Sequence, residues 1–121
     1  MAMRGSRHRH FTAYQLAAAL ADDIYGDVSS WDKFHTWSVG IQLVRAVDSI
    51  GANIAEGLGR GTLPDQRRFF LMARGSLLET EHWLERAASR DAGLSREYVS
   101  RTEEIGRTLN GLLRADPSGR R

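Results

Sequence analysis

The chain has 121 residues, of which 41% are hydrophobic and 26% are charged, and it contains no cysteine. A chain of this length buries a single core, which excludes a large multidomain enzyme. Without cysteine there are no disulfides, zinc fingers or thiol nucleophiles, and an intracellular setting is favoured. No stretch approaches the roughly 18 consecutive apolar residues of a membrane span, and no secretory signal follows the basic start, so we expect a soluble cytoplasmic protein without membrane contact.

The formal net charge is +2, and the excess positive charge lies at the two ends. Residues 1–10 carry three arginines, and residues 114–121 carry three against one aspartate, whereas residues 11–113 carry eleven bases and fourteen acids. We therefore expect a flexible basic arm over 1–10, a folded domain over 11–115 and a flexible basic tail over 116–121. All but one of the 17 basic residues are arginine, which suits phosphate binding but also follows from genome-wide composition bias.

Four segments have a helical period, and none has the sustained alternation of a strand. The first predicted helix spans about 12–27 and the second about 32–58, where glycines at 57, 59 and 61 end it. The first apolar stripe consists of Tyr14, Ala17, Ala21, Ile24 and Val28. The second consists of Trp37, Ile41, Val44, Val47, Ile50, Ile54 and Leu58.

The third predicted helix begins at a clear signal and extends to about Arg90. Thr62 can cap it, Pro64 fits its first turn, and Asp65 favours the positive end of the helix dipole. Its inner stripe consists of Phe70, Ala73, Leu77, Leu84 and Ala87 or Ala88. Ser95 is the predicted cap of a fourth helix, whose apolar seam consists of Tyr98, Ile105, Leu109 and Leu112.

The short connections between these segments place consecutive helices antiparallel to each other. The predicted fold is therefore all-α, an antiparallel up-down-up-down four-helix bundle with one shared core. The second and third helices are each about 26 residues long, roughly 39 Å, and exceed the other two. Apolar surface on the longer helices would then stay uncovered, with Trp31, Trp37 and Trp83 as candidates, so we expect self-association.

A line of polar residues runs along the otherwise apolar second helix: Ser49, Asn53, Glu56 and Arg60. Buried polar groups cost free energy unless they are satisfied. The structural interpretation is a network across the bundle to the third helix, whose polar candidates are Ser76, Glu79 and the nearby Arg74. The functional alternative is a site for a substrate or nucleic acid.

Metal and catalytic motifs are incomplete. Residues 79–82 contain the Glu-x-x-His spacing of di-iron bundles, but only Asp32 and His35 offer a degraded second copy. Arg4 and His10 match a spacing used by some helical ribonucleases, but they fall in the expected arm. We predict no metal, no cofactor and no enzymatic activity.

Residues 44–75 form the basic stretch inside the folded part, with five arginines against three acids. No strand precedes the glycine-rich run 57–61, so a strand-turn-helix phosphate cradle is excluded there. The N-terminus of the third helix could still favour a phosphate. The candidate phosphate contacts are Arg45, Arg60, Arg67, Arg68 and Arg74.

A longer pattern spans the second and third helices: Arg-Ala-x-x-Ser-Ile-x-x-Asn-Ile-Ala-Glu-Gly-x-x-Arg, then Phe, then Ala-x-Gly-Ser-Leu-x-Glu. It is matched by Arg45, Ala46, Ser49, Ile50, Asn53, Ile54, Ala55, Glu56, Gly57, Arg60, Phe70, Ala73, Gly75, Ser76, Leu77 and Glu79. In these residues the sequence resembles the small bacterial four-helix-bundle family. That family includes proteins encoded within ribosomal-RNA intervening sequences and accessory variability determinants of diversity-generating retroelements. The resemblance covers about residues 11–113.

The resemblance implies an antiparallel four-helix bundle. For the retroelement accessory proteins it also implies a ring-like homopentamer that binds nucleic acid through basic outer surfaces and works with a reverse transcriptase. The chain departs from the pattern at Val44, Asp48 and Gly51, where the family commonly has a basic residue, an apolar residue and proline. We expect a non-enzymatic homo-oligomer that binds RNA or DNA; the alternative is a protein-interaction scaffold without direct nucleic-acid contact.

Overall fold

A computed structural model describes residues 11–90, 92, 94 and 96–114. The expected arm over 1–10, the expected tail over 116–121 and the predicted cap Ser95 lie outside the described residues. We label the helices α1 (Thr12–Ser29), α2, α3 (Leu63–Ser89) and α4 (Glu97–Arg114). Helix α2 begins with the turn Lys33–His35, passes through a π-helical turn at Thr36–Gly40 and continues as Ile41–Leu58.

The helices pack in a closed cycle in which α1 contacts α2, α2 contacts α3, α3 contacts α4, and α4 returns to α1. Since each helix is joined to the next by a short connection, neighbours along the chain run antiparallel. This confirms the predicted up-down-up-down four-helix bundle. No helix in the described ranges is long and apolar enough to cross a membrane.

Two predicted helix starts are capped by side chains. The Thr62 hydroxyl accepts a hydrogen bond from the backbone N–H of Asp65 at 3.3 Å, which confirms it as the cap of α3. At the start of α2, the carboxylate of Asp32 accepts the backbone N–H of His35 at 2.9 Å. This bond holds the pKa of Asp32 below its ordinary value. Both caps satisfy backbone donors that have no partner inside the helix.

The core lies on the bundle axis, and all four helices contribute to it. Its fully buried larger side chains are Leu20, Ile24, Leu43, Ile50, Ile54, Ile105, Leu109, Val39, Val47, Thr80 and Thr102. The predicted stripes of α1 and α3 are confirmed at most positions, and Leu113 replaces Leu112 as the buried residue that ends the α4 seam. The buried hydroxyl of Thr80 is satisfied within α3, where it donates to the carbonyl of Ser76 at 2.8 Å.

The first part of the predicted α2 stripe is wrong. Trp37 is 71% exposed, and Val39 and Leu43 occupy the core. The predicted steps of three from Ile41 to Ile50 drift off one face of a 3.6-residue helix, whereas Leu43, Val47 and Ile50 stay on it. The π-helical turn at Thr36–Gly40 also changes the direction in which Trp37 faces. Among the three tryptophans considered for an uncovered surface, Trp37 is exposed, whereas the other two are partly buried and pack against the core.

A polar cluster joins α1 to α4 at the end of the bundle where α1 finishes. The Tyr98 hydroxyl donates to the carboxylate of Asp27 at 2.6 Å, and Arg101 pairs with Asp23 at 2.6 Å. Burial of the hydroxyl, reinforced by the Asp27 carboxylate, raises the pKa of Tyr98 well above its ordinary value. The phenol therefore stays protonated and acts as a permanent donor between the two helices.

Candidate nucleic-acid interface

Two of the candidate arginines lie together beside the turn between α2 and α3. The guanidinium carbons of Arg60 and Arg68 stand 4.4 Å and 4.6 Å from the centre of the Phe69 ring. Asp65 bonds Arg68 at 2.9 Å and lies 3.9 Å from Arg60, which also pairs with Glu56 at 2.9 Å. The Phe69 ring and the two carboxylates hold both guanidinium groups in place on the surface.

Arg67 and Arg74 lie on the side of α3 that faces α4. The guanidinium of Arg67 donates to the backbone carbonyl of Leu113, in the last turn of α4. A cation at that position satisfies a carbonyl that has no partner inside the helix and complements the negative end of the helix dipole. Farther along α3, Arg74 donates to the side-chain oxygen of Asn110 at 3.4 Å.

Arg45 is separated from the other candidates. It lies on α2 thirteen residues before Leu58, which corresponds to about 20 Å along the helix. Its side chain is exposed on the α1–α2 side of the bundle. The structure thus brings Arg60, Arg67 and Arg68 to one end, places Arg74 next to that end, and does not bring Arg45 to them.

Three chain segments that are distant in sequence meet at this end. The start of α1 is located by the Phe11 ring, which stacks on Phe70 of α3 with 6.3 Å between ring centres. The end of α4 is located by the bond between Arg67 and Leu113. We call the group formed by Phe11, residues 56–68 and Arg114 the basic end. Its described residues include four arginines and two acids.

The sequence adds charge to both chain segments that leave the basic end. Arg4, Arg7 and Arg9 precede Phe11, and Arg120 and Arg121 follow α4. No single segment reveals this convergence, because each carries only part of the positive charge. The signal was nevertheless present in the predicted topology, since an up-down-up-down bundle places its first residue, its middle turn and its last residue at the same end.

Comparison with known proteins identifies the family. Residues 9–112 match the 23S rRNA-intervening sequence protein family. The chain belongs to this family. Its fold is also similar to a crystal structure from Bacteroides thetaiotaomicron, of a protein with unknown function from the S23 ribosomal protein family. The two share 26% identity and a TM-score of 0.71, covering 84% of this chain and 98% of that one. No curated protein matches the chain.

The polar line of this family member forms a smaller network than expected. The Ser76 hydroxyl of α3 donates to the Ser49 hydroxyl of α2 at 2.9 Å. Asn53 donates to the same hydroxyl at 3.1 Å and to the Ser49 carbonyl at 2.9 Å. The two glutamates are placed differently from the expectation. Glu56 pairs with Arg60, as described above, and Glu79 accepts the indole N–H of Trp83 in its own helix at 3.2 Å.

Side-chain size and charge explain why the serines bond across the α2–α3 interface and the glutamates do not. Ser49 and Ser76 let α2 and α3 approach closely, and their hydroxyls meet at the interface in a half-buried position. A glutamate is longer and carries a charge, so placing its carboxylate in water costs less free energy than burying it at the interface. Glu79 is accordingly exposed and bonded along its helix. Ser49 and Ser76 thus join α2 to α3 directly, whereas Asn53 donates to Ser49 of its own helix and not across the bundle.

The Glu-x-x-His segment lies away from the basic end, in the later part of α3. The His82 ring packs edge-on against Trp83, with 4.8 Å between ring centres. Among the described residues, no three histidine or carboxylate side chains come close enough together to hold a metal ion.

Proposed function

We propose that this member of the 23S rRNA-intervening sequence protein family is a non-enzymatic, homo-oligomeric protein that binds the phosphate backbone of nucleic acid with its basic end. The observation that carries the proposal is the convergence of the start of α1, the α2–α3 turn and the end of α4 at one end of the bundle, where four arginines are described: Arg60, Arg67, Arg68 and Arg114. Arginine presents a planar fork of donors that fits phosphate oxygens, and several such forks on one end suit a repeated phosphate chain.

The aromatic residues at this end support backbone contact more than base contact. Phe69 and Phe70 are 9% and 5% exposed, so they do not offer their faces to unpaired bases. Phosphate contacts fix position and orientation but do not read sequence. We therefore propose binding to structured nucleic acid with little sequence preference. The family description links its members to 23S rRNA, which makes structured RNA the first ligand to test.

Self-association is supported by apolar side chains on the outer face of α3. Leu71 and Leu78 are 41% and 61% exposed and stand two helical turns apart on the same face. Exposed apolar side chains aligned in this way are typical of a surface that another protein covers. By resemblance to the retroelement accessory proteins, we propose a ring of five subunits and a reverse transcriptase as a candidate partner.

The decisive experiment measures binding of the purified full chain to structured RNA and to duplex DNA across a salt series. The test variant replaces Arg60, Arg67 and Arg68 with glutamine. We expect the native chain to lose affinity steeply with salt. On duplex DNA, the slope of log affinity against log salt should fall by about 0.9 for each phosphate contact removed.

A matched control replaces Lys33, Arg90 and Arg96, at the opposite end of the bundle, with glutamine. Its charge change is identical, so a reduced slope in the test variant alone assigns the contacts to the basic end. Absence of binding at low salt, or an equal loss in both variants, would refute the proposal. The scaffold alternative would then be favoured, and the large exposure of Phe34 and Trp37 indicates where a protein partner would bind.

A further inference from the structure

A cleft of about 350 Å³ opens between α1 and α2, away from the basic end. Tyr25 and Val28 of α1 form one wall, and Ile41, Val44 and Arg45 of α2 form the other. Its lining is apolar apart from a few polar groups, of which Arg45 is the charged one. A volume of this size, with mostly apolar walls and one charged group, is typical of sites that bind small molecules.

The π-helical turn of α2 forms part of this cleft. Thr36 and Gly40, the first and last residues of the turn, both line it. At Gly40 a Cβ atom would lie 2.8 Å from a methyl carbon of Val28, so the close approach of the two helices there requires glycine. Such π-helical turns occur frequently at functional sites. The shape of the cleft therefore depends on a local sequence feature that the basic end does not use.

The charge of Arg45 is not neutralised within the described part of the chain. No ion pair or hydrogen bond joins its guanidinium to another described residue. The nearest acid on the same helix face is Asp48, one turn away, which lies near Asp22 of α1. Burial and the charge of Asp22 raise the pKa of Asp48, in keeping with a carboxylate that has no cation beside it. Arg45 thus lines the cleft without a counter-charge from the described residues.

We propose that this cleft binds a small carboxylic acid with an unbranched apolar chain, whose carboxylate meets Arg45 while its chain lies between Tyr25, Val28, Ile41 and Val44. Guanidinium and carboxylate form a charge-assisted pair, and the apolar walls remove the chain from water. Asp48 lies one turn beyond Arg45 on α2, with Asp22 of α1 near it, and neither carboxylate lines the cleft. They would repel a polyanion that extends along the surface, so the cleft suits a single carboxylate and not nucleic acid.

Isothermal titration calorimetry with decanoate tests this site in the full-length protein. Decylammonium has the same chain length and the opposite charge, so it reports binding by apolar contact alone. We expect decanoate to bind with one site per chain and at least tenfold more tightly than decylammonium. Arg45→Gln should weaken decanoate binding about tenfold, the effect of one charge-assisted hydrogen bond, and should leave decylammonium unchanged.

Arg107→Gln is the matched control, because Arg107 is an exposed arginine on α4 and does not line the cleft. A second variant, Ser29→Phe, adds a ring at an exposed position on the cleft wall. It should abolish decanoate binding without changing helical circular dichroism. These readouts are independent of the basic end, which lies about 20 Å away along α2.

Three results would overturn the proposal. The first is decanoate binding that is equal to decylammonium binding or is unchanged by Arg45→Gln. The second is uptake of several decanoate molecules per chain, which indicates non-specific adsorption. The third is a change of sedimentation mass in Ser29→Phe, which would make the cleft a contact between copies of the chain.

Discussion

Gly57 provides a sharp test of how closely α2 and α3 pack. It occupies the last turn of α2, directly against the first turns of α3. A Cβ atom added at Gly57 would lie 3.0 Å from a ring carbon of Phe70. It would also lie 3.1 Å from both the backbone carbonyl of Gln66 and the Cβ of Phe69. Because these three neighbours surround the added atom and one is backbone, they cannot all move away, and Gly57→Ala should force the helices apart.

The magnitude follows from two opposing effects. Replacing glycine with alanine inside a helix stabilises it by about 0.5–1 kcal/mol, whereas overpacking a close interface costs about 1–3 kcal/mol. We expect Gly57→Ala to lower the free energy of unfolding by about 1 kcal/mol. The matched control is Gly75→Ala in the middle of α3, where nothing lies within 4 Å of the added atom. It should raise the free energy of unfolding by about 0.5–1 kcal/mol.

Urea unfolding followed by circular dichroism measures both variants, at equal protein concentration because self-association would make stability depend on concentration. The two variants should differ by about 2 kcal/mol in free energy of unfolding. In thermal melts this difference should separate their unfolding midpoints by roughly 8 °C. Equal stabilisation by the two substitutions would refute the packing argument. Since the added Cβ would press on Phe69, whose ring contacts Arg60 and Arg68, Gly57→Ala should also weaken RNA binding.

Four further predictions address the polar contacts and the basic arm. Tyr98→Phe removes the bond to Asp27 and should lower the free energy of unfolding by about 1–2 kcal/mol in urea titrations, whereas no change would show that the bond is not stabilising. Asp48→Asn should raise the free energy of unfolding at pH 7, because the raised pKa of Asp48 means that its ionised carboxylate is unfavourable in the folded state. In urea titrations this gain should vanish as the pH falls to 3.8, the ordinary pKa of an aspartate. Asn53→Leu should cost about 1 kcal/mol or alter the sedimentation mass, because it removes two hydrogen bonds to Ser49, the residue that bonds Ser76 of α3. Deletion of residues 1–10 should preserve helical circular dichroism, and loss of that signal would show that the arm is structural.

Most of the helical structure was predictable because its signals are local. The Thr62 cap and the nearby Pro64 specify the start of α3 through backbone groups within one turn. The recurrence of apolar residues at three and four positions identifies the buried faces of α1 and α3, which the structure confirms. Thr80 was missed because its hydroxyl is satisfied by a carbonyl of its own helix, which allows a polar residue to occupy the core.

The first part of the α2 apolar stripe was mispredicted because periodicity assumes a constant number of residues per turn. The π-helical turn at Thr36–Gly40 adds one residue and changes the direction in which Trp37 faces, so the stripe that begins there does not stay on one face. At Gly40, the last residue of this turn, an added Cβ atom would lie 2.8 Å from a methyl carbon of Val28 in α1, a tertiary contact that periodicity does not report. The same turn helps to form the cleft beside Arg45, which no motif in the sequence indicated.

The candidate site shows the same division between local and tertiary information. The sequence by itself determined the fold class, the family and the set of candidate arginines, because helical period and motif spacing are properties of short segments. Tertiary structure decided which of those arginines meet. It grouped Arg60, Arg67 and Arg68 with both ends of the fold and placed Arg45 about 20 Å away. Helix direction was predictable from the short connections, but contacts such as that of Arg67 with Leu113 depend on how the helices are rotated and shifted against each other, which is set only when four helices pack around one core.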